Sequence, residues 1–462
     1  MRRMRTVLAG ALLLWPVAAA ALGPVVVQDK LPNGAALLVS EQRNLPMVLV
    51  RVVLDAGARR DPQGKGGVAS LTADLLTEGT TSRSAQQIKD AIDFIGGSLS
   101  TNADTDYALV ALQVLRKDLD TGLALLGDVL LHPAFKPDEL ARRREATLAS
   151  IRADEDDPTA VAQKAFQRAL YGDTPYGHPD EGTEETVQRI TRGDVQKFFA
   201  EHYGAEHAAV VVVGDISAAE AREAFGRVLA GWKAGGAPPF VYPPFAPPAG
   251  QRLHIDRTVT QAGIVMGGLG IARDNPDYEK VAVMNYVLGS GGFSSRLMDT
   301  IRTQAGLAYS VSSMFAAQKS RGPFEIVMQT KTASVEDAIS RAREQTELIR
   351  TTPIHDDELQ EAKRYLTGSF PLRLDSNAKI ADFIAQVWFY DLGMDYPDKY
   401  IERVSAVTLA DVQRVAQAFI HPDQFIEVVV TNPHAAPAGA PAGAPPPQKA
   451  AGAGAPPPPA GH

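Results

Sequence analysis

An internal duplication constrains the fold of this chain more than any other feature. A proline followed by Asp-Glu-Leu at residues 133–140 returns at residues 353–359, offset by 220 residues at the proline and 219 at the acidic triplet. The segment Asp-Val-Gln at residues 194–196 leads to four consecutive valines, and it returns at residues 411–413 before a second valine run, offset by 217. Three anchors in the same order at nearly constant offset predict two copies of one α+β domain in tandem.

The length of the chain also requires more than one domain. A chain of 462 residues exceeds what one hydrophobic core normally serves. Between residues 235 and 250, six of sixteen residues are proline, which neither pairs inside a sheet nor extends a helix. We therefore predict an N-terminal domain at residues 24–234, a stiff linker at residues 235–250 and a C-terminal domain at residues 251–433. Each domain is expected to pack a mixed or antiparallel sheet against helices.

The two ends of the chain have compositions unlike those of folded domains. Arg2, Arg3 and Arg5 precede an apolar run and four alanines at residues 18–21, which is typical of a secretory signal peptide, predicted here at residues 1–21. An uncleaved anchor is the alternative. Residues 434–462 are Ala, Pro or Gly in all but four of 29 positions, so they are expected to form a disordered tail.

Charge and cysteine content narrow the range of functions. The net charge is −8 and no extended basic stretch follows the first residues, so nucleic acid is an unfavourable partner. The chain has no cysteine, which excludes disulfides, thiolate metal sites and a lipoprotein anchor. An exported protein without disulfides fits a bacterial periplasm, which is the predicted location.

The best functional clue lies at residues 289–311. A Gly-rich turn leads into a helix whose apolar residues share one face, Gly306 supplies its end, and an alternating strand pattern follows. This order places Arg302 in the last helical turn and Tyr309 just after the chain reversal, where both side chains are able to enter one cleft. The ordinary structural interpretation is that Arg302 complements the helix dipole and that Tyr309 is half-buried core.

This stretch resembles the C-terminal-domain signature of the pitrilysin/insulinase-type zinc metallopeptidases. That family includes the mitochondrial processing peptidase subunits and the core proteins of the cytochrome bc complex. Arg302 and Tyr309 match the Arg and Tyr of a pattern like S-R-L-x-x-x-x-R-x-x-x-G-L-A-Y-S-V. The resemblance implies that both side chains help to hold and polarise a peptide at a zinc site on another domain. It also implies that the two tandem domains form half of a clam-like shell of four domains.

The first half of the chain keeps the setting of the family's zinc motif without its ligands. A peptidase of this family carries H-x-x-E-H, two histidines for Zn²⁺ and a glutamate that activates water, in a context resembling G-x-A-H-F-x-E-H-x-x-x-x-G-T. In this chain the histidine positions hold Ser70 and Asp74, and the position of the base holds Ala73. The third ligand, a glutamate on a long helix, would fall near Ser150. The frame itself survives at Gly67, Ala69, Gly79 and Thr80.

These residues predict a non-catalytic subunit similar to the alpha-type subunits of the mitochondrial processing peptidase. The expected partner is a homologous chain that carries H-x-x-E-H and the zinc, whereas this chain needs no metal of its own. Arg302 and Tyr309 would act on the peptide in the partner's site. Two alternatives remain open: a peptide-binding or assembly scaffold without a proteolytic role, and a self-sufficient zinc peptidase with displaced ligands.

Overall fold

Two sheets with helices around them form the protein. The computed structural model describes residues 23–236, 239–242, 245 and 249–434. The predicted signal peptide and, apart from His434, the predicted tail lie outside these residues. The strands are β1 (Val27–Lys30), β2 (Ala36–Glu41), β3 (Met47–Leu54), β4 (Ser98–Ala103), β5 (Ala108–Leu115), β6 (Ala208–Gly214), β7 (Gln251–Asp256), β8 (Ala262–Leu269), β9 (Ala308–Phe315), β10 (Pro323–Thr330) and β11 (Ile426–Thr431).

Helices connect the strands in both halves of the chain. They are α1 (Val68–Leu75), α2 (Ala85–Phe94), α3 (Leu119–Leu131), α4 (Pro137–Asp154), α5 (Pro158–Tyr171), α6 (Glu184–Arg189), α7 (Arg192–His202), α8 (Ala218–Val228), α9 (Tyr278–Asn285), α10 (Val335–Thr351), α11 (Asp356–Ser369), α12 (Asn377–Phe389), α13 (Tyr396–Ala406) and α14 (Leu409–Phe419). None of the helices in the described ranges combines the length and the apolar character that crossing a bilayer requires.

The two sheets have the same topology, which confirms the predicted duplication. The first has the order β1-β2-β6-β3-β5-β4 and the second the order β7-β11-β8-β10-β9. In both, the last strand of the half pairs in parallel with one neighbour and antiparallel with the other: β6 between β2 and β3, and β11 between β7 and β8. The first sheet adds only β1, joined to β2 by a turn in which Gly34 adopts a φ of 98°. The predicted α+β fold of two tandem domains is therefore confirmed.

Each sheet is covered on one face by helices of its own half and on the other by a helix of the opposite half. Helix α5 packs on the second sheet, where its buried Phe166 belongs to one apolar cluster with Val265 and Val428. Helix α12 packs on the first sheet, where Ile384 shares a cluster with Val211. The valine-rich strands are thus buried on both faces, which explains their continuous apolar sequence.

A buried carboxylate joins the two halves next to these helices. Asp106, in the turn between β4 and β5, accepts a hydrogen bond from the Tyr390 hydroxyl at 3.1 Å and from the Lys319 backbone N–H at 2.7 Å. It also accepts a hydrogen bond from the Tyr176 hydroxyl at 3.0 Å and lies 3.3 Å from Arg59 Nε. Because two of these partners come from the second half, the contact fixes the position of one half against the other.

Candidate functional site

Arg302 lies in the last of three short helical segments in the second half. Helix α9 continues into a π-helical turn, Tyr286–Ser290, and a 3-10 turn, Gly292–Ser294, follows with a left-handed φ of 59° at Gly292. A π-helical stretch, Met298–Gln304, then leads to Gly306, whose φ of 63° reverses the chain into β9. The predicted helix, its glycine stop and the following strand are all present. Ser295 precedes the helix, but its hydroxyl donates to the Gly292 carbonyl instead of capping the helix.

Arg302 and Tyr309 lie side by side at the surface. The Arg302 guanidinium carbon is 5.4 Å from the centre of the Tyr309 ring and 4.8 Å from that of Phe293. Tyr309 is 74% exposed and Phe293 71% exposed, whereas Arg302 is half-buried between them. The guanidinium also contacts Met298 Sδ at 3.9 Å. A cation held against aromatic faces in this way is electrostatically favourable, and its N–H edges stay free to donate.

Neither polar group is bound to an oxygen or nitrogen atom of the described residues, and Arg302 donates only to Met298 Sδ. Within the described residues, Arg302 forms no ion pair with a carboxylate, and the Tyr309 hydroxyl makes no hydrogen bond. This excludes the ordinary structural interpretation of Tyr309 as half-buried core. The pair presents five N–H donors and one hydroxyl, which suits a carbonyl or carboxylate oxygen of a bound molecule.

The surroundings hold this pair in a fixed position. Arg296, one and a half turns before Arg302, donates two hydrogen bonds of 2.7 Å to the Glu358 carboxylate on α11. Burial would raise the pKa of Glu358, but the hydrogen bonds from Arg296 hold it below its usual value, so the pair stays charged. On the other side, Asn285 at the end of α9 donates to the Ser313 carbonyl and accepts from its hydroxyl, both in the interior. Strand β9 is therefore tied to the helices next to it.

The predicted zinc-motif positions lie on α1 and α4 of the first half. Ser70 is half-buried, Ala73 is buried and Asp74 is half-buried on α1, whereas Ser150 is exposed on α4. Helix α1 ends at Leu75. No hydrogen bond, ion pair or ring contact within the described part of the chain joins these positions to Arg302 or Tyr309.

The Arg143 guanidinium on α4 faces the Asp74 carboxylate, which stands where the zinc motif has a histidine. Arg143 Nη2 lies 3.8 Å from Asp74 Oδ1, and Arg143 Nε lies 3.3 Å from Glu78 Oε1. Burial raises the pKa of Asp74 and Arg143 opposes this rise. Asp74 thus already has a cation beside it.

A zinc ion does not fit these residues. Tetrahedral zinc needs three or four side chains with nitrogen, sulfur or carboxylate ligands, and only Asp74 among the four predicted positions offers one. The adjacent Arg143 would repel a second cation. Across residues 23–236, 239–242, 245 and 249–434, no group of three or more His, Asp or Glu side chains is placed to hold a metal ion. Neither serine nor alanine here is able to take the role of the activating glutamate.

Two side chains at these sites were not predicted from the sequence. Phe293 lies within the Gly-rich stretch, and an exposed phenylalanine between glycines was the signal available for it. Arg143 is one of three consecutive arginines on α4, and nothing in that run indicates which of them faces α1.

Comparisons with known proteins agree with this geometry. Residues 37–184 match the family model "Insulinase (Peptidase family M16)", and residues 189–366 match "Peptidase M16 inactive domain". An uncharacterized zinc protease of Streptomyces coelicolor is 28% identical, with 85% of this chain and 86% of that protein covered. A protein of Helicobacter pylori named as a non-peptidase homolog is 26% identical, with 88% and 93% covered.

A solved structure shows the same fold at higher identity. The crystal structure of a peptidase M16 inactive domain from Pseudomonas fluorescens is 30% identical, has a TM-score of 0.84, and is similar over 88% of this chain and 98% of that one. The resemblance predicted from residues 289–311 is confirmed, and the H-x-x-E-H motif is replaced in this chain. The chain therefore belongs to the insulinase family, peptidase family M16.

Proposed function

We propose that this protein is the non-catalytic subunit of an exported, heterodimeric zinc metallopeptidase. Its partner is a homologous chain that carries H-x-x-E-H, and this chain supplies Arg302 and Tyr309 to the partner's site. The two tandem domains then form half of a four-domain shell that encloses the peptide. The signal-like residues 1–21 support export to a periplasm.

One observation supports the proposal: Arg302 and Tyr309 lie together at the surface, while three of the four predicted zinc-motif positions lack a metal-ligating side chain. The two side chains are adjacent, and among the described residues neither forms an ion pair or a hydrogen bond to oxygen or nitrogen. Asp74 is the single metal-ligating side chain at the four zinc-motif positions, and it faces Arg143.

The pair has a simple chemical role in peptide hydrolysis. The Tyr309 hydroxyl donates a hydrogen bond to the scissile carbonyl oxygen as that oxygen gains negative charge. The Arg302 guanidinium donates to a neighbouring backbone carbonyl and holds the peptide in place. Phe293 and Tyr309 restrict the guanidinium to one orientation, so little freedom is lost when the peptide binds. The metal and the attacking water belong to the partner.

Co-purification and reconstitution test the proposal. A tagged copy expressed in its native cell should retain a chain of similar size that carries H-x-x-E-H. The mixture of the two purified chains should cleave peptides that neither cleaves alone. Arg302→Ala should lower the turnover of the mixture about 100-fold or more. The loss of one hydrogen-bond donor near the reacting carbonyl raises the activation barrier by about 2.7–4 kcal/mol. The matched control is Arg227→Ala, which removes an exposed arginine on α8.

The alternative function predicts a different outcome. A scaffold without a proteolytic role would bind a partner chain, yet it would not raise the peptidase activity of any mixture. Equal turnover with Arg302→Ala and with Arg227→Ala would contradict the proposed role of the pair even if the complex forms.

A further inference from the structure

Strand β9 contains one residue more than the stretch of β10 that it pairs with, and that residue is Tyr309. Along most of the strand each β9 residue pairs with one β10 residue in an unbroken antiparallel register, as far as Ser310 opposite Gln329. The next β10 residue, Thr330, pairs with Ala308, so Tyr309 is the extra residue. This is a β-bulge, a distortion that changes the direction of a side chain and is common beside active sites.

The bulge determines on which face of the sheet the Tyr309 ring lies. In a regular strand, alternate side chains point to opposite faces. Val311 and Ser313 are buried, whereas Ser312 between them is exposed. Regular alternation would therefore place Tyr309 in the core with Val311 and Ser313. Instead Tyr309 is exposed and Ala308 is buried, because the extra residue inverts the alternation.

Thr330 holds the start of the bulge from strand β10. Its side chain is buried, and its hydroxyl donates a hydrogen bond of 2.5 Å to the Leu307 carbonyl. The Leu307 N–H donates to the Ile301 carbonyl at 2.9 Å, in the same π-helical stretch that carries Arg302. Leu307 is thus fixed from both sides, which fixes where the bulge begins.

The strand opposite the bulge is held in turn by the first half of the chain. Gln329 Nε2 donates to the Thr159 hydroxyl on α5 at 2.8 Å. Gln329 pairs with Gly263 on β8, where an added Cβ atom would lie 2.5 Å from the Pro158 carbonyl carbon. Helix α5 therefore begins directly against the sheet, and this close approach requires glycine. The position of β10, and of Thr330 on it, is set by both halves.

We propose that Thr330 is a positioning residue for the Tyr309 hydroxyl: it anchors the bulge at Leu307 and so turns the phenol out of the core towards the bound peptide. The inference rests on the proposed function, in which that hydroxyl donates to the scissile carbonyl oxygen. Thr330 itself is buried, so its effect on turnover passes through Tyr309. Without the Thr330 hydroxyl, the Leu307 carbonyl loses this hydrogen bond and the start of the bulge is no longer fixed.

A spectroscopic signature of Tyr309 tests the anchor in the isolated chain. The full-length protein is labelled with fluorotyrosine, and the Tyr309 signal in its fluorine NMR spectrum is identified by its loss in Tyr309→Phe. Thr330→Val removes the hydroxyl and keeps the branched shape, so it should shift or broaden the Tyr309 signal. Thr330→Ser keeps a hydroxyl and should restore the signal.

Thr346→Val is the matched control. Thr346 on α10 is also buried, and its hydroxyl also donates to a backbone carbonyl, that of Arg343. This substitution should leave the Tyr309 signal unchanged. The unfolding midpoint of each variant checks folding, and Thr330→Ala makes the same test if Thr330→Val does not fold.

Turnover of the reconstituted complex shows whether the anchor acts through the Tyr309 hydroxyl. Thr330→Val should lower kcat about 10-fold with little change in KM, because a misplaced phenol leaves the other peptide contacts intact. In a Tyr309→Phe background the same substitution should change kcat less than about 2-fold, because the group that it positions is already missing. Thr346→Val should have no effect in either background.

The outcomes separate this inference from the proposed function. An unchanged Tyr309 signal in Thr330→Val would overturn the positioning role and leave the proposed function in place. An equal loss of kcat with and without the Tyr309 hydroxyl would show that Thr330 only supports the fold, which also overturns the positioning role. A changed signal together with two chains that show no joint turnover would overturn the proposed function and leave Thr330 as the anchor of the bulge.

Discussion

The two halves of the molecule share one strand topology but differ in the polar side chains at their predicted sites. In the first half, α1 carries Ser70, Ala73 and Asp74 at the predicted zinc-motif positions, and Asp74 faces an arginine. In the second half, the π-helical stretch carries the half-buried Arg302 and β9 carries the exposed Tyr309, and among the described residues neither forms an ion pair. Both sheets are fully packed, so the fold depends neither on metal-ligating side chains in the first half nor on Arg302 and Tyr309 in the second. Our proposal ascribes this difference to function.

Helices α5 and α12 each pack on the sheet of the opposite half. Removing a buried side chain from either helix is the most severe test of whether the halves are equivalent. Phe166 on α5 is fully buried against the second sheet, and Ile384 on α12 is 2% exposed against the first. We expect Phe166→Ala to lower the free energy of unfolding by about 3–5 kcal/mol and Ile384→Ala by about 2–5 kcal/mol. Urea unfolding followed by tryptophan fluorescence measures both.

Because each helix crosses to the other half, the chain should still unfold in a single transition in both variants. Leu348→Ala, on the solvent side of α10, is the control and should cost little. Two separated transitions would show that the halves are independent units and that the exchange contributes little.

A buried carboxylate on β10 of the second half makes stability depend on pH. Glu325 on β10 is 9% exposed, and its carboxylate forms no hydrogen bond or ion pair with other described residues. Burial raises its pKa to about 7 from an ordinary value of 4.5. The folded state thus keeps its proton in a range where the unfolded chain has lost it.

The stabilisation that the protonated Glu325 carboxyl contributes is therefore fully present below about pH 4.5 and is lost as the pH rises to about 7. The loss amounts to about 3 kcal/mol across that window. Glu325→Gln should remove this part of the pH dependence, measured as the urea midpoint from pH 5 to pH 8. The control Glu344→Gln, at an exposed position on α10, should keep it. An unchanged profile for Glu325→Gln would contradict the assignment.

Much of this organisation was predictable from the sequence, for definite reasons. The valine runs and their constant offset predicted the two sheets because β strands buried on both faces must be apolar throughout. The Gly306 stop predicted where Tyr309 emerges, because only a left-handed turn reverses the chain there. The helix exchange was not predictable, since α5 and α12 have the amphipathic pattern of helices that pack on their own half. The π-helical turns, which bring Phe293 against Arg302, leave no periodic signal.

The smallest expected effect concerns the contact between Asp74 and Arg143. Both side chains are about 30% exposed, so Asp74→Asn should change the free energy of unfolding by no more than about 1 kcal/mol. Chemical denaturation of the purified variants decides this. A cost above about 3 kcal/mol would mean that the lost metal position has become part of the structural core.

Turnover of the reconstituted complex tests the difference between the halves most directly. Two substitutions are compared in the same assay with the partner that carries H-x-x-E-H: Tyr309→Phe in the second half and Ser70→Ala in the first. Our account predicts that Tyr309→Phe lowers kcat about 100-fold, as the loss of one hydrogen-bond donor to a developing negative charge does, while Ser70→Ala leaves kcat unchanged. Unchanged turnover with Tyr309→Phe, or a large loss with Ser70→Ala, would contradict it.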